Sequence, residues 1–181
     1  MKVEVLAVAL ALSGCGGGAL PRFEKTLAAN DSATLALGQW CAAQGIARPP
    51  EIRALADRAA SNPPSPAVRA SLGVSASDQV AYRHVRLTCG DTVLSVAHNW
   101  YVPARLTPEM NRTLETTDAP FGKVVAPLGF RRERLASRRG RMAECPEGTI
   151  LSHRAVLRLL DGRAISLVVE CYTRANLSHA S

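Results

Sequence analysis

The 181-residue chain has the composition of a globular protein, with 47% apolar, 20% charged and only 4% aromatic side chains. This length supports one sizeable core, so we predict one domain, and the composition excludes collagen-like and disordered classes. The formal charge of +7 comes from 22 Lys and Arg against 15 Asp and Glu, but the bias toward arginine and alanine is typical of genome base composition, so no nucleic-acid partner is expected.

The first residues have the pattern of an export signal. Lys2 supplies a basic start, residues 5–12 form an apolar stretch too short to span a bilayer, and small residues follow, as in secretory signal peptides. The tetrapeptide Leu12-Ser13-Gly14-Cys15 resembles the lipobox of bacterial lipoproteins, in which the cysteine is acylated and the chain is cut just before it. The alternative is an ordinary buried N-terminal strand or helix that matches the motif by chance.

The lipobox sets the expected boundaries: a signal peptide over 1–14, a lipidated Cys15 within a flexible tether over 15–24, and one domain over 25–181. Several acyl chains on one cysteine hold a domain at a membrane, because each buried methylene contributes about 0.8 kcal/mol. Since Gly16 rather than Asp follows the cysteine, we expect an envelope protein that faces the periplasm, at the outer membrane rather than the inner.

Four further cysteines remain, and in an oxidising compartment they allow three complete pairings. They are Cys41, Cys89, Cys145 and Cys171. The sequence contains no Cys-x-x-Cys and no Cys/His cluster at metal-ligand spacing, so no metal site is expected.

Helical signals come first in the expected domain. Asp31 or Ser32 is suited to cap a helix that ends at Gly45. A second short helix fits residues 50–60, and residues 61–66, which include three prolines, form a loop.

Two β-hairpins follow, each recognised by β-rich runs around a dipeptide suited to a tight turn. They are 82–89 with 92–102 around Gly90-Asp91, and 150–160 with 163–173 around Asp161-Gly162. Between the hairpins, helices are predicted to start at Thr107-Pro108 and near Thr117 or Asp118. This order predicts an α+β fold: a single domain with an antiparallel sheet and helices packed on one side.

The segment from Arg131 to Arg141 holds six arginines in eleven residues, with Glu133 as its one acid. A solvated linker explains it. The alternative is electrostatic contact with anionic lipid headgroups.

The second hairpin carries ionisable residues inside apolar runs, and such charges are paired, exposed on one sheet face or part of a site. If Asp161-Gly162 forms the turn, His153 lies opposite Glu170, and Arg154 lies opposite its neighbour on that strand. Glu170 is then placed to hydrogen-bond His153, while Arg154 points to the other sheet face unless a bulge intervenes.

The first hairpin presents Asn99 on the face opposite its mostly apolar set of side chains. Ser95 and Ala97 share that face with Asn99 and are small, which leaves room for a ligand over the sheet. A chance polar outer face is the alternative.

A longer series of residues has a recognisable pattern. It comprises 99–103, 106–110, 117–124, 153–156 and 162–172, and its most specific elements are the turn Pro120-Phe121-Gly122 and the terminal hairpin with Glu170. Together with residues 31–34, the series resembles the chorismate pyruvate-lyase family and its wider superfamily, over roughly residues 25–176.

The resemblance implies an α+β domain with a ligand pocket closed by flaps. Enzymes of that family convert chorismate to 4-hydroxybenzoate and pyruvate with no metal or organic cofactor. By resemblance, Glu170 is the candidate catalytic residue that contacts the hydroxyl end of the ring, and Phe121, Gly122 and Ala33 line the pocket.

Asn99 departs from the family pattern, since it stands where the characterised enzymes have an arginine that pairs with a carboxylate. A neutral amide forms weaker hydrogen bonds to a carboxylate than a guanidinium does. We therefore expect a dicarboxylate such as chorismate to bind less well unless Arg154, Arg83 or Arg86 takes that role.

Three functions follow from these patterns. The first is a lyase, and the second is a non-catalytic, membrane-tethered lipoprotein that binds a small aromatic or cyclic carboxylate. The third is an envelope structural protein that uses only the anchor and the arginine run. Location counts against the lyase, because chorismate is a cytoplasmic intermediate and a lipidated chain lies outside the inner membrane.

Overall fold

The computed structural model describes residues 18–178, and these form one α+β domain. The strands are β1 (Ile52–Asp57), β2 (Ala81–Cys89), β3 (Thr92–Tyr101), β4 (Phe130–Arg139), β5 (Leu151–Leu159) and β6 (Ala164–Tyr172). The helices are α1 (Ala19–Ala28), α2 (Ala33–Gln44), α3 (Pro66–Leu72), α4 (Pro108–Thr116) and α5 (Phe121–Val125). The predicted signal peptide over 1–14 and the candidate lipidation site Cys15 lie outside the described residues.

The six strands form one antiparallel sheet in the order β1-β2-β3-β6-β5-β4. Helices α1, α2, α4 and α5 pack on one face, where Phe23 and Leu37 are fully buried. On the opposite face, Val68 and Leu72 of α3 pack against Trp100. The predicted α+β class and the antiparallel sheet are confirmed, and α3 adds cover to the second face.

Capping residues in the sequence correctly predicted where two of these helices begin. The Ser32 hydroxyl accepts a hydrogen bond from the Leu35 N–H at 3.3 Å and caps α2, which ends at Gly45 with φ +63°. The Thr107 hydroxyl caps α4 in the same way, through the Met110 N–H at 3.1 Å. Both caps begin helices where the sequence predicts them.

Both predicted hairpins are present, and the central register of the second is as expected. His153 lies opposite Glu170, and Arg154 lies opposite Val169. The predicted two-residue turn is not formed, because the backbone N–H of Leu159 donates to the Arg163 carbonyl at 2.9 Å and Arg158 lies opposite Ala164. A bulge at Leu157 restores the expected register along the rest of the hairpin.

Four sequence predictions are corrected by the structure. Residues 52–57 form strand β1 rather than part of a helix over 50–60, because they pair with β2 and bury Ile52 and Ala54. The run Arg131–Arg141 is an edge strand rather than a linker over most of its length. The helix expected near Thr117 or Asp118 begins at Phe121, since the Asp118 carbonyl instead accepts a hydrogen bond from the β1 backbone.

The fourth correction concerns the tether predicted over residues 15–24. Helix α1 begins at Ala19, so residues 19–24 are helical rather than flexible. Phe23 is fully buried, with its ring centroid 5.1 Å from that of Trp40 and 5.2 Å from that of Tyr172. This aromatic cluster makes α1 part of the domain core.

Two disulfides select one of the three pairings that the sequence leaves open. Cys41–Cys89 joins α2 to β2, and Cys145–Cys171 joins the segment before β5 to β6. Within residues 18–178, no helix combines the length and the apolar character needed to cross a membrane.

Candidate functional site

A cavity lies between the sheet and the helices α2 and α5. The space open to the centre of a water molecule is about 50 Å³, and the unfilled space around it, which includes open solvent, is about 530 Å³. Its floor comes from four neighbouring strands and from β4 at the edge. The lining residues on these strands are Arg83, Val85, Leu87, Ala97, Asn99, Val168, Glu170, Leu157, Phe130 and Arg132.

The start of α2 and the start of α5 form the roof of the cavity. Ser32, Ala33 and Thr34 line it from α2, and Phe121 and Gly122 line it from α5. A Cβ atom on Gly122 would lie 2.6 Å from the Ser32 Oγ, a separation that real Cβ atoms do not show. Glycine at this position therefore permits the close contact of the two helices over the cavity.

The structure brings together five of the six residues that the sequence indicated for binding or catalysis. Ala33, Asn99, Phe121, Gly122 and Glu170 all line this one cavity. They come from α2, β3, α5 and β6, so distant parts of the chain meet at one place.

Arg154 is the exception, because it does not line this cavity. Its register places it on the sheet face opposite to Glu170, where its guanidinium pairs with Glu144. The cavity lining contains Arg83 instead, one of the two other arginines that the sequence offered as substitutes. Arg86, the third, is exposed on β2.

Glu170 is held by a network that the sequence did not predict. Arg132 on β4 pairs with both of its carboxylate oxygens, at 3.0 Å for the Nη1–Oε1 hydrogen bond, and the Tyr172 hydroxyl donates to Oε2 at 2.9 Å. The side chains of Arg132 and Glu170 are only 6% and 7% exposed. Burial by itself lowers the pKa of Arg132, but the adjacent Glu170 carboxylate raises it above its ordinary value.

The expected hydrogen bond between Glu170 and His153 is absent from the described part of the chain. His153 does lie opposite Glu170, but the carboxylate is directed to Arg132 and Tyr172. Burial lowers the pKa of His153 to about 4, with the nearby Glu170 carboxylate opposing this shift. His153 is therefore neutral behind the cavity at neutral pH.

Arg83 is the other buried cation of the cavity. The residue is 8% exposed, and its Nη2 donates one long hydrogen bond, at 3.4 Å, to the Ala119 carbonyl. Within residues 18–178 no carboxylate oxygen lies within 4.0 Å of its guanidinium. Burial lowers the pKa of Arg83, yet a guanidinium stays charged in proteins. This charge is thus uncompensated at the cavity wall.

Asn99 lies directly opposite Arg83 in the pairing of β2 with β3. Its side-chain Oδ1 accepts a hydrogen bond from the Ser166 hydroxyl. Among the described residues its NH2 group has no hydrogen-bond acceptor, so it is available as a donor beside Arg83.

The charges of the lining decide what the cavity accepts. Among the buried charges, Arg132 and Glu170 neutralise each other, and Arg83 remains with the Asn99 amide next to it. Asp31, the fourth charged residue of the lining, is exposed. A buried charge is costly unless it is paired. The unpaired Arg83 therefore favours an anionic ligand in the cavity. Within residues 18–178, no cluster of three metal-ligating side chains is found.

Two of these residues were underestimated or missed by sequence reasoning. Arg83 was one of three arginines considered, and nothing local separates it from Arg86, because only the strand register decides which of them faces the helices. Arg132 was missed because it lies in an arginine-rich run that was interpreted as a linker. This run is an edge strand whose side chains are mostly exposed, so it lacks the alternation of apolar residues that identifies an ordinary strand.

No protein-family model matches the chain. It is 40% identical, over 192 residues, to the uncharacterized protein y4mC of Sinorhizobium fredii, and the match covers 95% of this chain and 76% of y4mC. The chain belongs to the family of y4mC.

Solved structures share the fold at low sequence identity. The effector domain of PhnF from Mycobacterium smegmatis has a TM-score of 0.58 and 16% identity, with 80% of this chain and 90% of that domain covered. The C-terminal domain of the histidine utilization repressor from Pseudomonas syringae has a TM-score of 0.50 and 11% identity, covering 70% of this chain and 94% of that one. At these identities the likeness shows the fold alone, and it agrees with the chorismate lyase-like architecture indicated by the sequence.

YydK from Bacillus subtilis, described as a possible transcriptional regulator, matches with a TM-score of 0.51 and 12% identity over 72% of this chain. The chain spans about 60% of the length of YydK.

Proposed function

We propose that this domain binds a small aromatic or cyclic carboxylate in the cavity under α2 and α5. The observation that carries the proposal is Arg83, a buried cation that lines the cavity without a carboxylate partner in the described residues. A ligand carboxylate would supply that partner through charge-assisted hydrogen bonds, with the Asn99 amide as a second donor.

The spacing of the polar groups suits a single substituted ring. Glu170 on β6 is two strands away from Arg83 on β2 and two residues further along. Two inter-strand spacings of about 4.8 Å and two residues of about 3.3 Å separate their Cα atoms by roughly 12 Å. Their long side chains extend into this space, so a ring can lie between a carboxylate at Arg83 and a hydroxyl at Glu170.

The apolar lining supports the same class of ligand. Val85, Leu87, Ala97, Leu157 and Val168 form the wall between the two polar ends. An apolar wall with a few convergent polar groups is the usual make-up of a small-molecule site. Effector domains with this fold occur in PhnF, which is compatible with a binding role for this chain.

Calorimetric titration tests the proposal with 4-hydroxybenzoate and its neutral amide, 4-hydroxybenzamide. We expect saturable binding of the acid, weaker binding of the amide, and a loss of about tenfold or more in affinity for the acid in Arg83→Gln, because hydrogen bonds to charged groups contribute about 1.5–3 kcal/mol. Arg86→Gln is the matched control, since that arginine is exposed on the same strand. Equal affinity for acid and amide, or equal effects of the two substitutions, contradicts the proposal.

Lyase turnover is the second candidate, favoured by the gathering of Glu170, Phe121, Gly122 and Ala33 around one cavity. In this arrangement Glu170, held in place by hydrogen bonds from Arg132 and Tyr172, acts as a hydrogen-bond acceptor that positions the hydroxyl end of the ring. Pyruvate release from chorismate by residues 16–181 would support turnover, provided that Glu170→Gln abolishes it and Glu144→Gln does not. Saturable binding of 4-hydroxybenzoate without pyruvate release leaves the binding function alone.

We also propose that the domain is tethered to the periplasmic face of a membrane by lipid on Cys15, at the outer rather than the inner membrane. The sequence Leu12-Ser13-Gly14-Cys15 supports this location. Pairing of the other four cysteines in two disulfides supports it as well, because such bonds persist in oxidising compartments. Fractionation of cells that express the wild type and Cys15→Ala tests the tether, and identical distributions of the two proteins overturn it.

A further inference from the structure

The outer edge of β4 carries arginines that the cavity does not use. We use the term arginine edge for Arg131, Arg134 and Arg138 of β4 together with Arg141, two residues after its end, and all four are exposed. Arg134 extends from one face of the strand, and Arg131 and Arg138 extend from the other. Across residues 18–178 none of them lies within 4.0 Å of a carboxylate oxygen. The edge thus concentrates free positive charge along a strand of about 33 Å.

Other arginines close to the arginine edge are paired with carboxylates, in contrast to the four arginines of the edge. Arg139 pairs with Glu24 at 2.7 Å, and Arg158 pairs with Glu133 at 2.5 Å. The acidic residues in reach are therefore already used, and the arginine edge is left to bind an external anion.

Large apolar side chains are exposed in the same region. Leu135 lies within the edge strand and is 43% exposed, and Leu160 lies at the β5–β6 turn and is 78% exposed. Leu159 pairs with Phe130, so Leu160 follows directly beyond the start of β4. Exposed leucines among arginines suit a surface with an anionic layer above an apolar one.

A second copy of this chain fits the edge poorly. Antiparallel pairing of two β4 strands would place arginines from both copies beside one another, and like charges on facing strands are destabilising. Charge on an edge strand is also a known means of preventing such pairing. The partner must be anionic.

The position of the N-terminal end of the domain selects a membrane as that partner. The described chain starts at Gly18, just before α1, and the Glu24–Arg139 ion pair fastens α1 to the end of β4. Two residues, Gly16 and Gly17, lie between Cys15 and Gly18, so the Cα atoms of Cys15 and Gly18 are at most about 11 Å apart. A surface that holds Cys15 is therefore close to the end of β4.

We propose that the arginine edge docks on an anionic lipid surface, with its arginines against the headgroups and Leu160 inserted at the interface. The choice of a membrane as the partner rests on the proposed tether at Cys15, whereas the docking itself requires no ligand in the cavity. In an anchored protein, it would orient the sheet edge toward the bilayer.

Vesicle co-sedimentation of residues 16–181, which contain the whole described domain, tests the proposal. The vesicles are phosphatidylcholine alone or with 30% phosphatidylglycerol. The edge variant Arg131→Gln/Arg134→Gln/Arg138→Gln is compared with a control, Arg48→Gln/Arg86→Gln/Arg112→Gln. The control loses the same charge from exposed arginines that make no side-chain hydrogen bond or ion pair in the described residues.

We expect binding to the anionic vesicles only, and a loss of about 100-fold in partitioning for the edge variant, since each arginine near the surface is worth about fivefold. The control should change partitioning by less than about fivefold. The single substitution Leu160→Ser should also weaken partitioning relative to the wild type. Binding should vanish in 1 M salt, where the Debye length falls to about 3 Å.

Equal losses in the edge and control variants overturn the proposal, because they would reflect net charge alone. Absence of binding to anionic vesicles, with retention on immobilised polyglutamate, also overturns it and identifies an acidic protein as the partner. Loss of 4-hydroxybenzoate binding in Arg83→Gln has no bearing on this outcome, so the two proposals fail independently.

Discussion

The buried pair Arg132–Glu170 gives the sharpest prediction about how the cavity floor is stabilised. Replacing Arg132 with Met leaves the Glu170 carboxylate buried with the Tyr172 hydroxyl as its remaining hydrogen-bond donor. Replacing Glu170 with Gln leaves the Arg132 charge unpaired in the same place. Each single substitution should lower the free energy of unfolding by about 3 to 5 kcal/mol, the usual effect of breaking a buried ion pair from one side.

The double substitution Arg132→Met/Glu170→Gln should cost far less than the sum, about 1 kcal/mol, because no buried charge remains. The two single losses add up to at least about 6 kcal/mol, so the coupling energy of the cycle is about 5 kcal/mol or more. The pair is thus predicted to act as one unit, and its effect on stability is not divisible between the two residues.

Urea unfolding at pH 7 under non-reducing conditions, followed by tryptophan fluorescence, measures these values. With a slope of about 2 kcal/mol per molar urea, each single variant should shift the midpoint by roughly 1.5 to 2.5 M. The matched control is the cycle on Arg154 and Glu144, whose side chains are 30% and 27% exposed, and it should give a coupling below about 1 kcal/mol. The reasoning is refuted if the buried pair couples no more strongly than this control.

Three further outcomes follow from single contacts in the structure. Because the pKa of His153 falls from 6.5 to about 4 on folding, the unfolded state binds the extra proton. Stability should therefore decrease by up to about 3 kcal/mol as the pH falls from 6.5 to 4, and urea titrations should show a weaker decrease in His153→Gln. Removing the disulfide with Cys41→Ala/Cys89→Ala opens a loop of 48 residues and should cost about 4 kcal/mol, measured by the same urea assay. Gly122→Ala should cost about 1–3 kcal/mol through its contact with the Ser32 Oγ, and thermal melts should show a smaller cost of Gly122→Ala when it is measured against Ser32→Ala, which itself loses the α2 cap.

Much of the fold could be predicted because it depends on neighbouring residues. The turn dipeptides Gly90-Asp91 and Asp161-Gly162 and the caps at Ser32 and Thr107 act within a few positions of the chain, and all four appear where the sequence places them. His153 lies opposite Glu170 as expected, but the turn alone does not set this register, because a bulge between Leu157 and Arg158 offsets the different pairing next to the turn.

The same local logic failed where pairing is between distant residues. Strand β1 was taken for a helix because six residues carry little periodicity, and only pairing with β2 identifies it as a strand. The partner of Glu170 was taken to be His153, the cross-strand neighbour, whereas Arg132 is 38 residues away on another strand. A guanidinium with two parallel donors satisfies a buried carboxylate better than a neutral imidazole.

The sequence by itself therefore determined the hairpins, the helix starts and the set of residues from which a site could be built. Tertiary structure decided the disulfide pairing, the choice of Arg83 over Arg154, and the neutralisation of Glu170 by Arg132. The reason is physical: turns and caps are satisfied within one segment, but a buried charge is stabilised by whichever partner the packed sheet brings beside it.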